Sequence, residues 1–226
     1  MLFILLLLML VGCSSVNSML GGNSQKEAKA EIDWAYAKEG IWLQLASDAQ
    51  LNIYDNESHT LVLGIYQLSE TQSFYKLLAD KPQISKDLLT GQTGKQVVQF
   101  DRYVLAPGKA TVLKLDRAQG AKFVGMIAGY YDFDAINAAR LFRVPVNMQS
   151  SGMVTTTYKA EPAVLALRLV FGNNGINNAE VLTYDAEKKT VVETLPLDSK
   201  NPEINISSNE ITQASDSQQA AMKLGN

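Results

Sequence analysis

Cys13 is the side chain whose type and placement most directly imply chemistry. It is the only cysteine in 226 residues, and it closes the tetrad Leu10-Val11-Gly12-Cys13 behind an almost wholly apolar run from Met1 to Val11. Roughly ten apolar residues are too few to cross a hydrocarbon core, which needs ~20. They fit the apolar region of a secretory signal with a small residue at the cut. Ordinary signal cleavage wants a small residue three positions before the first mature residue, and Leu10 stands there. The pattern is a lipobox: the Cys13 thiol is acylated, the leader 1–12 is removed, and Cys13 becomes the first residue. The competing reading is an ordinary signal with an incidental cysteine. No Lys or Arg precedes the apolar run, which leaves a start further upstream open.

The other candidate groups are weaker. His59 is the only histidine, it sits in a run of turn residues, and no G-x-S-x-G motif accompanies it. A solvated loop histidine is the better reading. Zinc is equally poorly supplied, with one His and no second Cys. Gly91-Gln92-Thr93-Gly94-Lys95 imitates the end of a phosphate loop, but Leu89 replaces the first required Gly and Gln96 replaces the Ser or Thr after Lys. It reads as a turn into a strand. Asp132 and Asp134 would share a strand face as paired carboxylates, yet beside Asn137 they read as turn formers. Tyr130 and Tyr131 read as core and rim residues rather than a stacking platform. Nothing supports catalysis, so an enzyme is not expected, and neither is a cofactor or a metal.

Around these residues the chain has the composition of a folded domain, with 46% hydrophobic residues and a net charge of −3. Lys and Arg are scattered rather than striped, which argues against nucleic-acid binding. Residues 13–24 are small and polar and read as a flexible lipidated tether. Lys26 to Glu39 predicts a short amphipathic helix ended by Gly40. The period then changes to two: Ile41, Leu43 and Leu45 alternate with Trp42, Gln44 and Ala46, with Leu51 and Ile53 prolonging the strand past a bulge. Asp55-Asn56-Glu57-Ser58 is turn chemistry. Leu61 to Leu68 is apolar on both faces, and Ser69 with Gln72 forms a capping box for a helix buried through Phe74, Leu77 and Leu78. Leu88 and Leu89 anchor another turn. Strands are then predicted at Val97–Leu105, Thr111–Leu115, Phe123–Tyr131, Leu141–Val146 and Leu165–Phe171. Gly172 to Gly175 makes a hairpin-type turn, and Val181–Tyr184 with Thr190–Leu195 forms the last pair. The expectation is a mostly β antiparallel sandwich with one to three short helices over residues 25–197, followed by a disordered polar tail, 198–226.

Several of these residues match a known family. Leu51-Asn52, Leu63-Gly64-Ile65-Tyr66-Gln67-Leu68, Phe74, Leu88-Leu89, Leu105-Ala106-Pro107-Gly108-Lys109 and Phe123 to Tyr131 resemble the TssJ/VasD lipoproteins of type VI secretion. The resemblance covers roughly Ile41 to Val146, with the lipobox in register ahead of it. Two departures stand out. Gly64 replaces an Arg found in many relatives, and Phe142-Arg143 replaces an aromatic-Arg pair that often contains Trp.

The resemblance implies a transthyretin-like β-sandwich held by an N-terminal lipid (palmitate among its chains) at the periplasmic face of the outer membrane. It implies binding to the periplasmic C-terminal region of an inner-membrane TssM/IcmF-like protein, and through it an indirect link to TssL. In the family the loop between the first two sandwich strands reaches that partner. Here the loop maps to Asp55, Asn56, Glu57, Ser58, His59 and Thr60. Ser14, directly after Cys13, agrees with transport to the outer membrane. The alternative is a small-ligand-binding or chaperone-like periplasmic lipoprotein, which would need a large apolar cavity with a few convergent polar groups.

Overall fold

The structure, a computed structural model, describes residue 17, residues 21–183, and the backbone of short strands at 193–195 and 204–205. The leader 1–12, Cys13 and most of the expected tail lie outside the described residues.

Two sheets form a sandwich. One contains β1 (Ala37–Ser47), β4 (Ala110–Arg117), β9 (Leu165–Phe171) and β10 (Ile176–Val181), in the order β10-β9-β1-β4. The other contains β2 (Leu61–Leu68), β3 (Gln99–Leu105), β5 (Phe123–Ala128), β6 (Ala139–Arg143), β11 (Glu193–Leu195) and β12 (Ile204–Asn205), in the order β12-β11-β6-β5-β2-β3. Between them Ile41, Leu43, Leu45, Leu167, Leu169 and Phe171 meet Leu63, Ile65, Val124 and Phe142 in one buried core. A side chain on each second residue of β1 and β9 enters this core while its neighbours face outward, as the alternation predicts.

The second sheet is covered on its other face as well, which explains why β5 is apolar throughout and β2 is apolar except for buried Gln67. Helices α2 (Thr71–Leu78) and α3 (Lys81–Thr90) place Phe74, Leu77, Ile84 and Leu88 against Tyr66, Leu68, Ile127 and Leu141. Gly64 lies under this layer. A Cβ there would stand 2.8 Å from Leu88 and 3.1 Å from Phe100, so an Arg at this position would displace α3.

Several local expectations are corrected. The first helix, α1, spans only Gln25–Ala30, not Lys26 to Glu39, and Gly40 lies inside β1. Tertiary donors take the carbonyls that a longer helix would need: Gly120 N–H donates to Trp34 O at 2.7 Å, and the Arg117 guanidinium donates to Ala35 O at 2.7 Å. β1 stops at Ser47. Leu51 then turns into the core and Ile53 is exposed, because Asp48 closes a turn by accepting from Gln50 N–H. The N-cap of α2 is Glu70, without a side-chain cap, so the Ser69–Gln72 box does not form. Of the Leu88-Leu89 pair only Leu88 is buried, Leu89 being 79% exposed.

Four short helical segments are described rather than one to three, the fourth being α4 (Ala135–Ala138). One sheet contact is parallel: β1 runs alongside β9 from Ile41↔Leu165 to Ser47↔Phe171. These strands are far apart in sequence, so no hairpin forces them antiparallel. β10 pairs with β9, while β11 joins β6 in the opposite sheet, so the predicted last pair does not form. Within 198–226 only Ile204–Asn205 is described, and it pairs with β11. A hairpin of β7 (Val146–Ser151) and β8 (Thr157–Pro162) was not predicted.

The capping box that does form is at α1. Ser24 N–H donates to Glu27 Oε2 at 2.6 Å and Glu27 N–H donates to Ser24 Oγ at 3.2 Å. The Ser24 backbone N–H, then its hydroxyl, hold the Glu27 carboxyl below its ordinary value of 4.5. A carboxyl depressed on folding stabilises above its unfolded value and loses that contribution as pH falls through the folded one. Amide resonances of Ser24 and Glu27 are therefore expected to broaden or shift as pH is taken below 4.5, and Glu27→Gln should abolish this response. An acid response unchanged in the variant would exclude the box as its source.

Candidate functional site

The loop from Asp48 to Thr60 leaves the sandwich where β1 and β9 end. Leu51 is fully buried, and the adjacent Asn52 is 3% exposed with φ of 48°. Asn tolerates this left-handed backbone better than most residues. Its side chain joins two segments: Nδ2 donates to Thr60 O at 3.0 Å, and Oδ1 accepts from Tyr131 N–H at 3.0 Å. A third segment joins through the backbone, where Ile53 N–H donates to Asn173 O at 3.0 Å. Asn52 therefore ties the loop to the segment after β5 and to the turn between β9 and β10.

Beyond Asn52 the chain makes a miniature hairpin. Tyr54 and Glu57 exchange two backbone hydrogen bonds of 3.0 Å, with Asp55 at φ 53° and Asn56 at φ 61°. Two central residues with positive φ are the I′ turn that short hairpins favour. Ser58 Oγ donates to Ala49 O at 2.9 Å, and His59 N–H donates to Leu51 O at 3.1 Å. The rings of Tyr54 and Tyr131 stack at 4.6 Å and 22°, and His59 meets Tyr131 edge-on at 5.3 Å. A His59 ring nitrogen lies 3.2 Å from Tyr54 O. Such ring pairs contribute about 0.5–1.5 kcal/mol beyond area burial. Tyr54 and Tyr131 remain 58% and 59% exposed, with Ile53 exposed beside Tyr54. The result is a stiff aromatic knob whose turn carries Asp55 and Glu57.

This arrangement presents a surface rather than a reaction centre. His59 is occupied by aromatic and backbone contacts, not by a Ser–Asp relay. Among the described residues no group of three or more His, Cys, Asp or Glu could hold a metal ion. Asp134 is the N-cap of α4, accepting from Ile136 N–H and Asn137 Nδ2. Gly91 is the left-handed C-cap of α3 at φ 76°, and Thr93 Oγ1 donates to Asp87, so the Gly91–Lys95 segment ends a helix. Tyr130 is a core residue whose hydroxyl donates to Gly175 O at 2.7 Å. Tyr131 does stack, but on Tyr54. The loop residues Asp55 to Thr60 are brought together. Asn52, Tyr54 and Tyr131 were not in the sequence-based set, although Leu51-Asn52 had stood out by resemblance without a role.

A groove of about 570 Å³ opens between α1, the 31–36 segment and β8. Glu31, Asp33, Arg117, Lys159 and Glu161 line it. That is a charged cleft, unlike the apolar cavity a small-ligand carrier would need.

A family model described as type VI secretion lipoprotein (VasD, EvfM, TssJ) matches residues 40–164. Among solved structures, the T6SS lipoprotein TssJ1 from Pseudomonas aeruginosa is similar at 18% identity and a TM-score of 0.46, covering 67% of this chain and 98% of that one. Lip from Serratia marcescens, a membrane bound component of the type VI secretion system, is similar at 18% identity and a TM-score of 0.45, covering 64% of this chain and 98% of that one. Among curated proteins none matches.

Proposed function

The chain belongs to the type VI secretion lipoprotein family of TssJ and VasD, structural components rather than enzymes, and from that premise we propose that it is a lipid-anchored clamp of the secretion membrane complex. Acyl chains on Cys13 hold it at the periplasmic face of the outer membrane. Its loop from Asp55 to Thr60 grips the periplasmic region of a TssM/IcmF-like protein, and through that protein it is linked to TssL. The observation that carries the partner half of this reading is the aromatic knob: Tyr54, His59 and Tyr131 packed together, solvent-facing, and fixed to the fold by buried Asn52. A preorganised exposed aromatic loses little side-chain freedom on binding, and Tyr is enriched among the residues that dominate interfaces.

The test is binding of the periplasmic region of a TssM-like protein to single-residue variants. Tyr54→Ala is expected to weaken binding at least about tenfold, equal to 1.4 kcal/mol. Val112→Ala, exposed on β4, should bind as the parent does. Deleting Glu57 to His59 is a poorer probe, since Glu57 closes the turn and His59 N–H holds Leu51 O, so it would loosen the loop itself. Unchanged affinity in Tyr54→Ala would remove the knob from the interface.

A further inference from the structure

The hairpin of β7 and β8 carries the most exposed apolar residues described: at its tip Met153 and Val154 are fully or nearly fully exposed. From Val144 to Tyr158 no residue is charged, in a chain of which 19% is charged. A soluble hairpin tip is ordinarily polar, and an uncharged apolar one marks a contact surface.

The outer edge of β8 is occupied by two asparagines from the N-terminal arm. Asn17 Nδ2 donates to Thr156 O at 2.8 Å while Asn17 Oδ1 accepts from Thr156 N–H at 2.7 Å. Asn23 repeats the pattern on Tyr158, donating to its carbonyl at 2.9 Å and accepting from its N–H at 2.5 Å. Each side-chain amide thus acts as one peptide unit of a missing neighbouring strand. These two positions of the expected tether are fixed to the domain. The contacts also give the arm a direction. Going from Asn23 to Asn17 moves from Tyr158 to Thr156, toward the tip.

We propose that the Met153-Val154 tip is a second membrane contact, inserted at the headgroup–acyl boundary of the leaflet that holds the Cys13 lipid. The inference rests on the lipid-anchor reading above and adds what the anchored domain does next. Cys13 precedes Asn17 by four residues. Four residues span at most about 14 Å. A lipid on Cys13 therefore keeps Asn17 within that reach of the bilayer surface, with Thr156 one side-chain hydrogen bond further on and the tip two residues beyond Thr156. The absence of charge from Val144 to Tyr158 removes the main desolvation cost of entering the interface. The two amide clamps convert a flexible lipid tether into an oriented mount.

The test uses the lipidated full-length chain in phosphatidylethanolamine–phosphatidylglycerol vesicles. Its only native cysteine is blocked by the lipid, so Val154→Cys can be labelled selectively with an environment-sensitive dye, and Val112→Cys on β4 serves as the reference. With vesicles, emission from position 154 is expected to shift to the blue and to be quenched by spin label at a shallow lipid depth, while position 112 keeps its aqueous spectrum. Removing the clamps with Asn17→Ala and Asn23→Ala should abolish the shift at 154 while co-flotation with vesicles persists. An aqueous spectrum at 154 on chains that do co-float overturns the proposal and leaves the lipid anchor standing. Failure to co-float overturns the anchor and the proposal together. A blue shift that appears without vesicles as protein concentration rises assigns the tip to a second copy instead and overturns it too.

Discussion

Replacing Cys13 with Ser is expected to move the protein entirely from the membrane fraction to the soluble periplasm while leaving the domain folded and able to bind its partner. The magnitudes decide this. One acyl chain gives only reversible binding, on the order of 10⁴ M⁻¹, whereas additional chains make attachment effectively permanent. Met153 and Val154 together would contribute at most about 3–6 kcal/mol if fully buried. A net energy of about 4 kcal/mol corresponds to millimolar affinity. The hairpin tip can therefore orient an anchored domain but cannot retain a free one. Folding should be unaffected, because every described core contact begins beyond Cys13. The measurements are metabolic labelling with palmitate, fractionation, and partner pull-down from the soluble fraction. A wild-type chain that takes no label, or a Cys13→Ser chain that stays with the membrane, would dispose of the anchor.

On the proposed reading, the partner loop and the lipidated arm lie toward opposite ends of the sandwich, since Tyr158, which Asn23 holds, lines a groove with Tyr36 and Arg117 near the start of β1. β1 and β9 run parallel from Ile41↔Leu165 to Ser47↔Phe171, and the loop with Tyr54 follows Ser47. β8 ends at Pro162, just before the other end of the same pair. Six residues of strand separate these levels, about 20 Å. On this reading the packed interior between them, apolar except where Gln67 of β2 bonds to Asp116 and Ala118 at the end of β4 in the opposite sheet, is a rigid spacer: a pull applied at the loop passes through paired strands before it reaches the lipid.

Much of this was legible in the sequence, and the failures have physical causes. Strands with one wet face, β1 and β9, were readable because alternation survives there. β2 and β5 were readable as doubly buried because both faces are covered. Helix α1 was overextended since nothing local reveals that Gly120 and Arg117 capture the Trp34 and Ala35 carbonyls from far away in the chain. The β7–β8 hairpin escaped because its Ser, Thr and Asn residues carry no apolar alternation, although the Ser151-Gly152 dipeptide at its tip is turn chemistry. At the partner loop the turn residues Asp55 to Thr60 were visible. Their support was not: Asn52 is a polar residue buried by contacts to Thr60 and Tyr131, and Tyr131 reaches Tyr54 only through the fold.

Gly125→Val is expected to be the most damaging single substitution in the second sheet. Gly125 sits in the middle of β5, opposite Tyr66 on β2 and Leu141 on β6. A Cβ at this position would lie 2.3 Å from Phe74 Cε2 and 2.4 Å from Cδ2. Glycine inside a strand ordinarily costs about 0.5–1 kcal/mol relative to alanine. Its presence here is explained by the ring of Phe74 resting directly on the backbone. Phe74 is fully buried and packs with Tyr66, so it has no vacant space to enter. A side chain at 125 must expel it and lift α2, whose Leu77 shares a core with Ile84 and Leu88 of α3. Losing a buried Phe costs about 3–5 kcal/mol. For a domain of this size each kcal/mol lowers Tm by about 2–4 °C, so a fall on the order of 10 °C is expected by calorimetry. Gly125→Ala should show a smaller fall. Combining it with Phe74→Leu, which shortens the obstructing side chain, should cost less than the two single changes added together, the sign of direct contact. If Gly125→Ala melts like the parent, or the two changes simply add, Phe74 is not what requires glycine there, and the account of how α2 is seated on the sheet is wrong.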